Sequence, residues 1–260
     1  MKAEEWHPDI SLVIPAYNEQ ARLPATLREV MAYVARYSLD CEVVVVDNGS
    51  TDGTADVVRE AIGQFGGRLR LLRTDGRGKG LAVRTGMLAA RGGVAIFADA
   101  DLSWPLAELR RFPTLVSDAA PVVIGSREGV GARRIGEPSY RHLMGRVYNQ
   151  VVQWLALPGI EDSQCGFKAF RAEAARRVFG LQTIRGFGFD VEVLFLARRL
   201  GYGIRVVPLQ WEHKQNSSVA PVRDTARMLG DVLRVRLQAQ RGLYDRAPRP
   251  GPQPIHARCS

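Results

Sequence analysis

Four short β-branched runs fill the first hundred residues, each followed by a longer stretch with apolar residues at helical spacing. This alternation restricts the fold more than any other feature. The runs cover residues 10–15, 42–47, 69–74 and 94–99, and between them lie "RLPATLREVMAYVARY", "TADVVREAIGQF" and "LAVRTGMLAARG". Such a pattern builds right-handed βαβ units and so a parallel sheet covered by helices. The predicted class is α/β: a Rossmann-like, mostly parallel sheet flanked by helices in a single domain.

Open parallel sheets bind ligands beyond the carboxyl ends of their strands. There the chain reads "AYNE", "DNGSTDGT", "TDGRGKG" and "DAD", which the pattern places along one crevice. Pro15 stops the first strand just before Asn18 and Glu19. Asp47 ends an apolar strand, where a carboxylate needs a donor, such as the imino N–H of a uracil base; Asn48 to Thr54 alone reads as an ordinary turn and helix start. "GRGKG" offers backbone N–H groups and Lys79 to a diphosphate. Asp99 and Asp101 are the sharpest feature. Two apart on a strand, they face one way, and like charges so close call for a cation. Oxygen-only ligands suit Mg²⁺ or Mn²⁺ held jointly with substrate phosphates. The alternative is a surface turn with helix-capping acids.

"VIPAYNE", "VVVVDNGSTDGT", "GRGKGLAVRTGM" and "FADADLSWP", in this order, resemble the family 2 glycosyltransferases of GT-A fold. "VIGSR", "DSQCGFKAF" and "FDVEVLFLARRLGYGIRVVPLQW" resemble the subgroup that makes polyprenyl-phosphate sugars, first the dolichyl-phosphate glucosyltransferases, then the mannose synthases. The likeness spans about residues 9 to 240. It implies a nucleotide-sugar-binding half over 1–105 and an acceptor-binding half over 106–245; residues 246–260 read as a disordered proline-rich tail. It also implies a donor site built from Pro15, Tyr17, Glu19, Asp47, Gly49, Lys79, Asp99, Ala100 and Gln164. Glu19 and Asp47 would hold the nucleoside, Asp99 the ribose or the metal side, and Asp101 the metal. Arg127 would approach a sugar or acceptor phosphate, while Asp162 and Gln164 would face the sugar, with Lys168 nearby. Ser103 stands where mannose synthases of this type often carry Gln, so neither a third metal ligand nor mannose is implied.

The implied partners are a nucleotide sugar, here UDP-glucose, and a polyprenyl phosphate, with no nucleic acid. GDP-mannose as donor, a soluble hydroxyl acceptor and a non-catalytic nucleotide-sugar-binding module are the other readings. A hydroxyl acceptor needs a general base, for which Asp162, Asp190 and Glu192 are the candidates. The latter two also suit the N-terminus of a helix. A lipid phosphate needs cations instead. The net charge of +9 agrees with phosphate-bearing partners, and Arg127, Arg133, Arg134, Arg141 and Arg146 cluster in and around one loop. Leu143, Val147, Val151, Trp154 and Leu155 form a helical stripe that reads as core before membrane contact. Arg227, Arg234 and Arg241 recur every seven residues, as a solvated face or one resting on anionic headgroups. His213 lies where some GT-A enzymes bring a late residue to the metal. Three cysteines without metal or redox spacing favour a reducing, cytoplasmic setting; peripheral contact at the inner face of the cell membrane is a separate reading that goes with the headgroup alternative for the last helix. No apolar run reaches the length of a membrane span.

Overall fold

A computed structural model describes residues 6–136, 139–212 and 221–245, so His213 and the proline-rich tail lie outside the described residues. The first half runs β1 (Ile10–Ala16), α1 (Leu23–Arg36), β2 (Cys41–Asp47), α2 (Thr54–Phe65), β3 (Leu69–Arg73), α3 (Lys79–Ala89), β4 (Val94–Ala98) and α4 (Glu108–Leu115). The second half holds β5 (Val122–Ser126), β6 (Arg133–Ile135), α5 (Ser139–Leu155), β7 (Phe167–Arg171), α6 (Ala172–Leu181), α7 (Phe189–Arg199), β8 (Ile204–Pro208), β9 (Gln210–Glu212) and α8 (Pro221–Gln240).

One seven-stranded sheet has the order β3-β2-β1-β4-β7-β5-β8. All neighbours are parallel except β7, which runs against both β4 and β5. Alternate residues of each strand feed two cores. Val13, Val44, Val46 and Phe97 pack with Ala82, Val83 and Met87 of α3 and with the apolar sides of α6 and α7. On the other face, Leu12, Ile14, Val43, Val45 and Ile96 meet Leu23, Leu27 and Val30 of α1 and Leu109 and Phe112 of α4. Burial on both faces explains the unbroken apolar run of β2.

Two local expectations change, and one strand–helix pair appears where the sequence suggested neither. The fourth strand stops at Ala98, so Asp99 and Asp101 stand in the turn beyond it rather than on one strand face. Strand β7 and helix α6 carry no clear pattern in "GFKAFRAEAARRVFGL", because the strand is short and has the buried Lys168 at its second position. The stripe on α5 is not core: Leu143, Val147 and Trp154 are 65%, 60% and 84% exposed, while the helix buries Tyr148, Asn149 and Val152. A second small sheet pairs β6 with β9 in parallel and so brings the loop after Arg127 beside Trp211.

Candidate active site

The ends of β1, β2 and β4 and the start of α3 come together, because their strands are adjacent and parallel. In register, Asp47 lies opposite Ala16 on one side and Arg73 on the other. The buried Asp47 accepts from Ser50 N at 2.9 Å and from Arg73 Nε at 3.0 Å. Asn48 Oδ1 accepts from Gly78 N at 2.9 Å, and Asn18 Oδ1 from Thr51 N at 2.8 Å. These bonds join the three loops into one rim. Pro15 pairs with Val46 inside β1, Tyr17 lies exposed beneath the Arg77 guanidinium at 5.3 Å, and Gly49 adopts φ +75° in the turn after Asp47.

Gly78 caps α3 with φ +146°, and a Cβ there would come within 2.2 Å of the Arg185 carbonyl oxygen. The next residue, Lys79, reaches Asp99 Oδ1 at 2.6 Å. Burial works to lower the Lys79 pKa, but the carboxylates of Asp99, Asp190 and Asp101 outweigh it and raise the pKa overall. Asp99 is fixed from behind. Its N–H donates to Gly166 O at 3.1 Å, and its carbonyl accepts from Trp104 Nε1 at 3.3 Å. Gly166 must lack a side chain, since a Cβ would sit 2.0 Å from Asp99 Oδ2. Ala100 O accepts from Thr26 Oγ1 at 2.6 Å, and Asp101 Oδ1 accepts from Ser103 N at 3.0 Å. Glu19 is drawn into the same field: burial raises its pKa, Arg22 opposes this, and Asp101 and Asp99 add to the rise.

Among the described residues, no three His, Cys, Asp or Glu side chains gather as a metal cage. The donor set fits an open site instead. Asp101 keeps one carboxylate oxygen clear of the hydrogen bond to Ser103, Asp99 and Glu19 lie close enough to add negative charge, and every donor is oxygen. A hard divalent cation that takes its other ligands from water and substrate phosphates suits such residues.

The second half of the site is built around Asp162, which is fully buried. Arg127 grips it with its own backbone N–H, Nε and a terminal nitrogen, each at 2.8 Å. Burial alone would raise the Asp162 pKa; the Arg127 charge and its hydrogen bonds bring the carboxyl down to about 2. The Arg127 guanidinium also lies over the Trp211 ring at 5.4 Å. Gln164 donates its backbone N–H to Asp162 at 3.3 Å, while its side-chain Nε2 is buried with no hydrogen-bond partner among the described residues.

Asp190 and Glu192 start α7 and are buried. Asp190 pairs with Lys168, whose ammonium also donates to Cys165 O at 2.6 Å and lies over the Phe97 ring. Glu192 accepts from Thr183 N, Thr183 Oγ1, Ile184 N and Tyr244 Oη, so it ties α7 to the loop after α6 and to the end of α8. Sequence reasoning missed Arg73, Asn48, Arg77 and Gly166. Only strand register could have found the first, since Arg73 closes β3 opposite Asp47.

Comparison with known proteins shows the family and the fold. Residues 11–179 match the family described as Glycosyl transferase family 2. A dolichyl-phosphate beta-glucosyltransferase of Dictyostelium discoideum is 33% identical over 248 residues, covering 90% of this chain and 76% of that one. A mouse protein of the same name is 34% identical over 249 residues, covering 90% and 77%. In fold, the chain resembles glucosyl-3-phosphoglycerate synthase from Mycobacterium tuberculosis, solved with Mn²⁺, UDP and phosphoglyceric acid. The TM-score is 0.64 at 22% identity, over 90% of this chain and 79% of that one.

Proposed function

Because the chain belongs to glycosyltransferase family 2, we propose that it transfers glucose from UDP-glucose to a dolichyl-type polyprenyl phosphate in one inverting displacement. The relatives named for that reaction cover nine-tenths of the chain. The observation that carries the choice of a phosphate acceptor is the state of the three candidate bases. Asp162 is clamped by Arg127 with its carboxyl near pKa 2, Asp190 is paired with Lys168 in the core, and Glu192 is saturated by donors. Burial raises the pKa of Asp190 and of Glu192, but both lie inside the protein and, like Asp162, are already committed to protein partners rather than facing an acceptor. A lipid monophosphate needs no base, since its second pKa is about 6 and it is mostly dianionic at neutral pH.

Within this reading, Glu19 and the loops after β1 and β2 hold the nucleoside; Asp47 does not need the base N–H that its sequence position suggested, because Ser50 N and Arg73 Nε already donate to its buried carboxylate, and it orders the turn beneath the nucleoside instead. Lys79 and the N-terminus of α3 face the diphosphate. Asp99 and Asp101 would hold Mg²⁺ or Mn²⁺, and a divalent ion there would supply Lewis-acid stabilisation of the leaving group. The orphaned Gln164 Nε2, beside Asp162, is a donor waiting for a sugar hydroxyl. Arg127, stacked on Trp211, orients the acceptor phosphate while keeping Asp162 ionised.

A donor panel of UDP-glucose and GDP-mannose, offered with Mn²⁺ and a short polyprenyl phosphate and read by mass spectrometry, tests the reading. A prenyl-phosphate glucose from UDP-glucose is the expected product. Glucose transfer only to hydroxyl acceptors, or donor binding without release of UDP, would overturn it.

A further inference from the structure

Helix α5 has two unlike sides. Inward, Asn149 Oδ1 accepts from Ser163 N at 3.2 Å and Ser163 Oγ at 3.0 Å, so the helix supports the loop that carries Asp162 and Gln164. Near its start, His142 meets Glu128 at 3.1 Å; Glu128 holds Arg134, which in turn donates to the Arg127 carbonyl at 3.3 Å. Outward, Tyr140, Leu143, Val147 and Trp154 are exposed, with half-buried Val151 among them. On a helix these five fall within an arc of about 80° and a length of about 21 Å. Val130 and Ile135, from the same loop and from β6, are exposed as well.

Single apolar residues on a surface need no explanation, but a continuous row does. An aromatic side chain stands at each end of this row, the arrangement suited to a membrane–water boundary. Exposed cations stand on the neighbouring elements. Helix α8, which packs on α5, exposes Leu233 and Leu237 between Arg227, Arg234 and Arg241 on one side and Arg236 on the other. Arg133 of β6 is exposed too.

We infer that the outer side of α5, with the exposed arginines of α8 and β6, docks on a bilayer surface bearing anionic headgroups. Charge selects this occupant over a second copy of the chain, because a symmetric contact would bring the same arginines together. The inference rests on the lipid-phosphate reading of the acceptor: docking by α5 sets the half of the site built by Arg127 and Asp162 beside the leaflet that holds the substrate.

Flotation of the full chain with vesicles of phosphatidylcholine containing about one-third phosphatidylglycerol tests it. Wild type is expected to float with these vesicles and less with phosphatidylcholine alone, and Trp154 to be quenched by brominated acyl chains. The L143S/V147S/W154S variant is expected to float about tenfold less or worse and to lose transfer to vesicle-embedded acceptor. Its transfer to a short, water-soluble prenyl phosphate should be unchanged, which also shows that it folds. Equal flotation of wild type and variant would overturn the inference, as would concentration-dependent dimerisation through the stripe without flotation. Flotation without transfer to any prenyl phosphate would sink the acceptor reading and leave the docking face standing. Transfer to the short acceptor without flotation would do the reverse.

Discussion

Lys79 and Asp99 meet at 2.6 Å, so one of the two carboxylates that the sequence marks for a metal is held by an ammonium from the first turn of α3. In the proposed function this cation faces the diphosphate, and Asp190 reinforces Lys79 from the core. Removing that charge by Lys79→Met is expected to raise the KM for the nucleotide sugar and lower kcat/KM by about 10- to 100-fold, or about 1.4 to 3 kcal/mol. Steady-state kinetics at saturating acceptor check this. An unchanged donor KM would remove Lys79 from the donor site.

Gly166→Ala probes the same carboxylate without touching a charge. The new methyl would need the space of Asp99 Oδ2, so the Asp99 side chain must swing away while the strands around it stay paired. A displacement of about 1 Å at a reacting centre costs about 10²-fold in rate. The expected variant is folded by circular dichroism and about a hundredfold slower.

Much of this region was legible in the sequence. The apolar runs and the acids behind them fix which strand ends converge, because parallel βαβ units place those ends on one edge. What was not legible depends on partners far apart in the chain. Arg73 finds Asp47 through register, and Asp162 finds Arg127 across 35 residues. Nothing local in "DSQCGF" says that its aspartate is a clamped anion rather than a base. The α5 stripe was misread for a related reason: periodicity marks an apolar side but not what covers it.

The Arg127–Asp162 clamp makes a prediction about acid. Asp162 has a folded pKa of about 2 against an ordinary 3.8. A depressed carboxyl contributes stability above its unfolded pKa and loses it as pH falls through the folded one. The contribution is therefore complete above about pH 4, amounts to about 2 kcal/mol, and fades toward pH 2. Urea unfolding of wild type and Asp162→Asn should show a gap that narrows over that range. A gap independent of pH would contradict the clamp.

Lys168 and Asp190 form a fully enclosed pair, and breaking it on one side leaves a buried charge. Lys168→Met is expected to cost about 3–5 kcal/mol in unfolding free energy, and adding Asp190→Asn should recover part of the loss. Chemical denaturation of the two variants measures this. A double variant less stable than the single one would show that the two residues do not act as a pair.

In the proposed reaction, oxygen ligands just beyond the end of β4 would hold a divalent ion at the departing diphosphate. Turnover of UDP-glucose with a short polyprenyl phosphate, measured for wild type and Asp101→Asn across a Mn²⁺ titration and after chelation, tests it most directly. Wild type should lose turnover with the metal and regain it on Mn²⁺ addition, while Asp101→Asn should stay at least about a hundredfold lower at every concentration. Full turnover by Asp101→Asn, or by chelated wild type, would contradict the account.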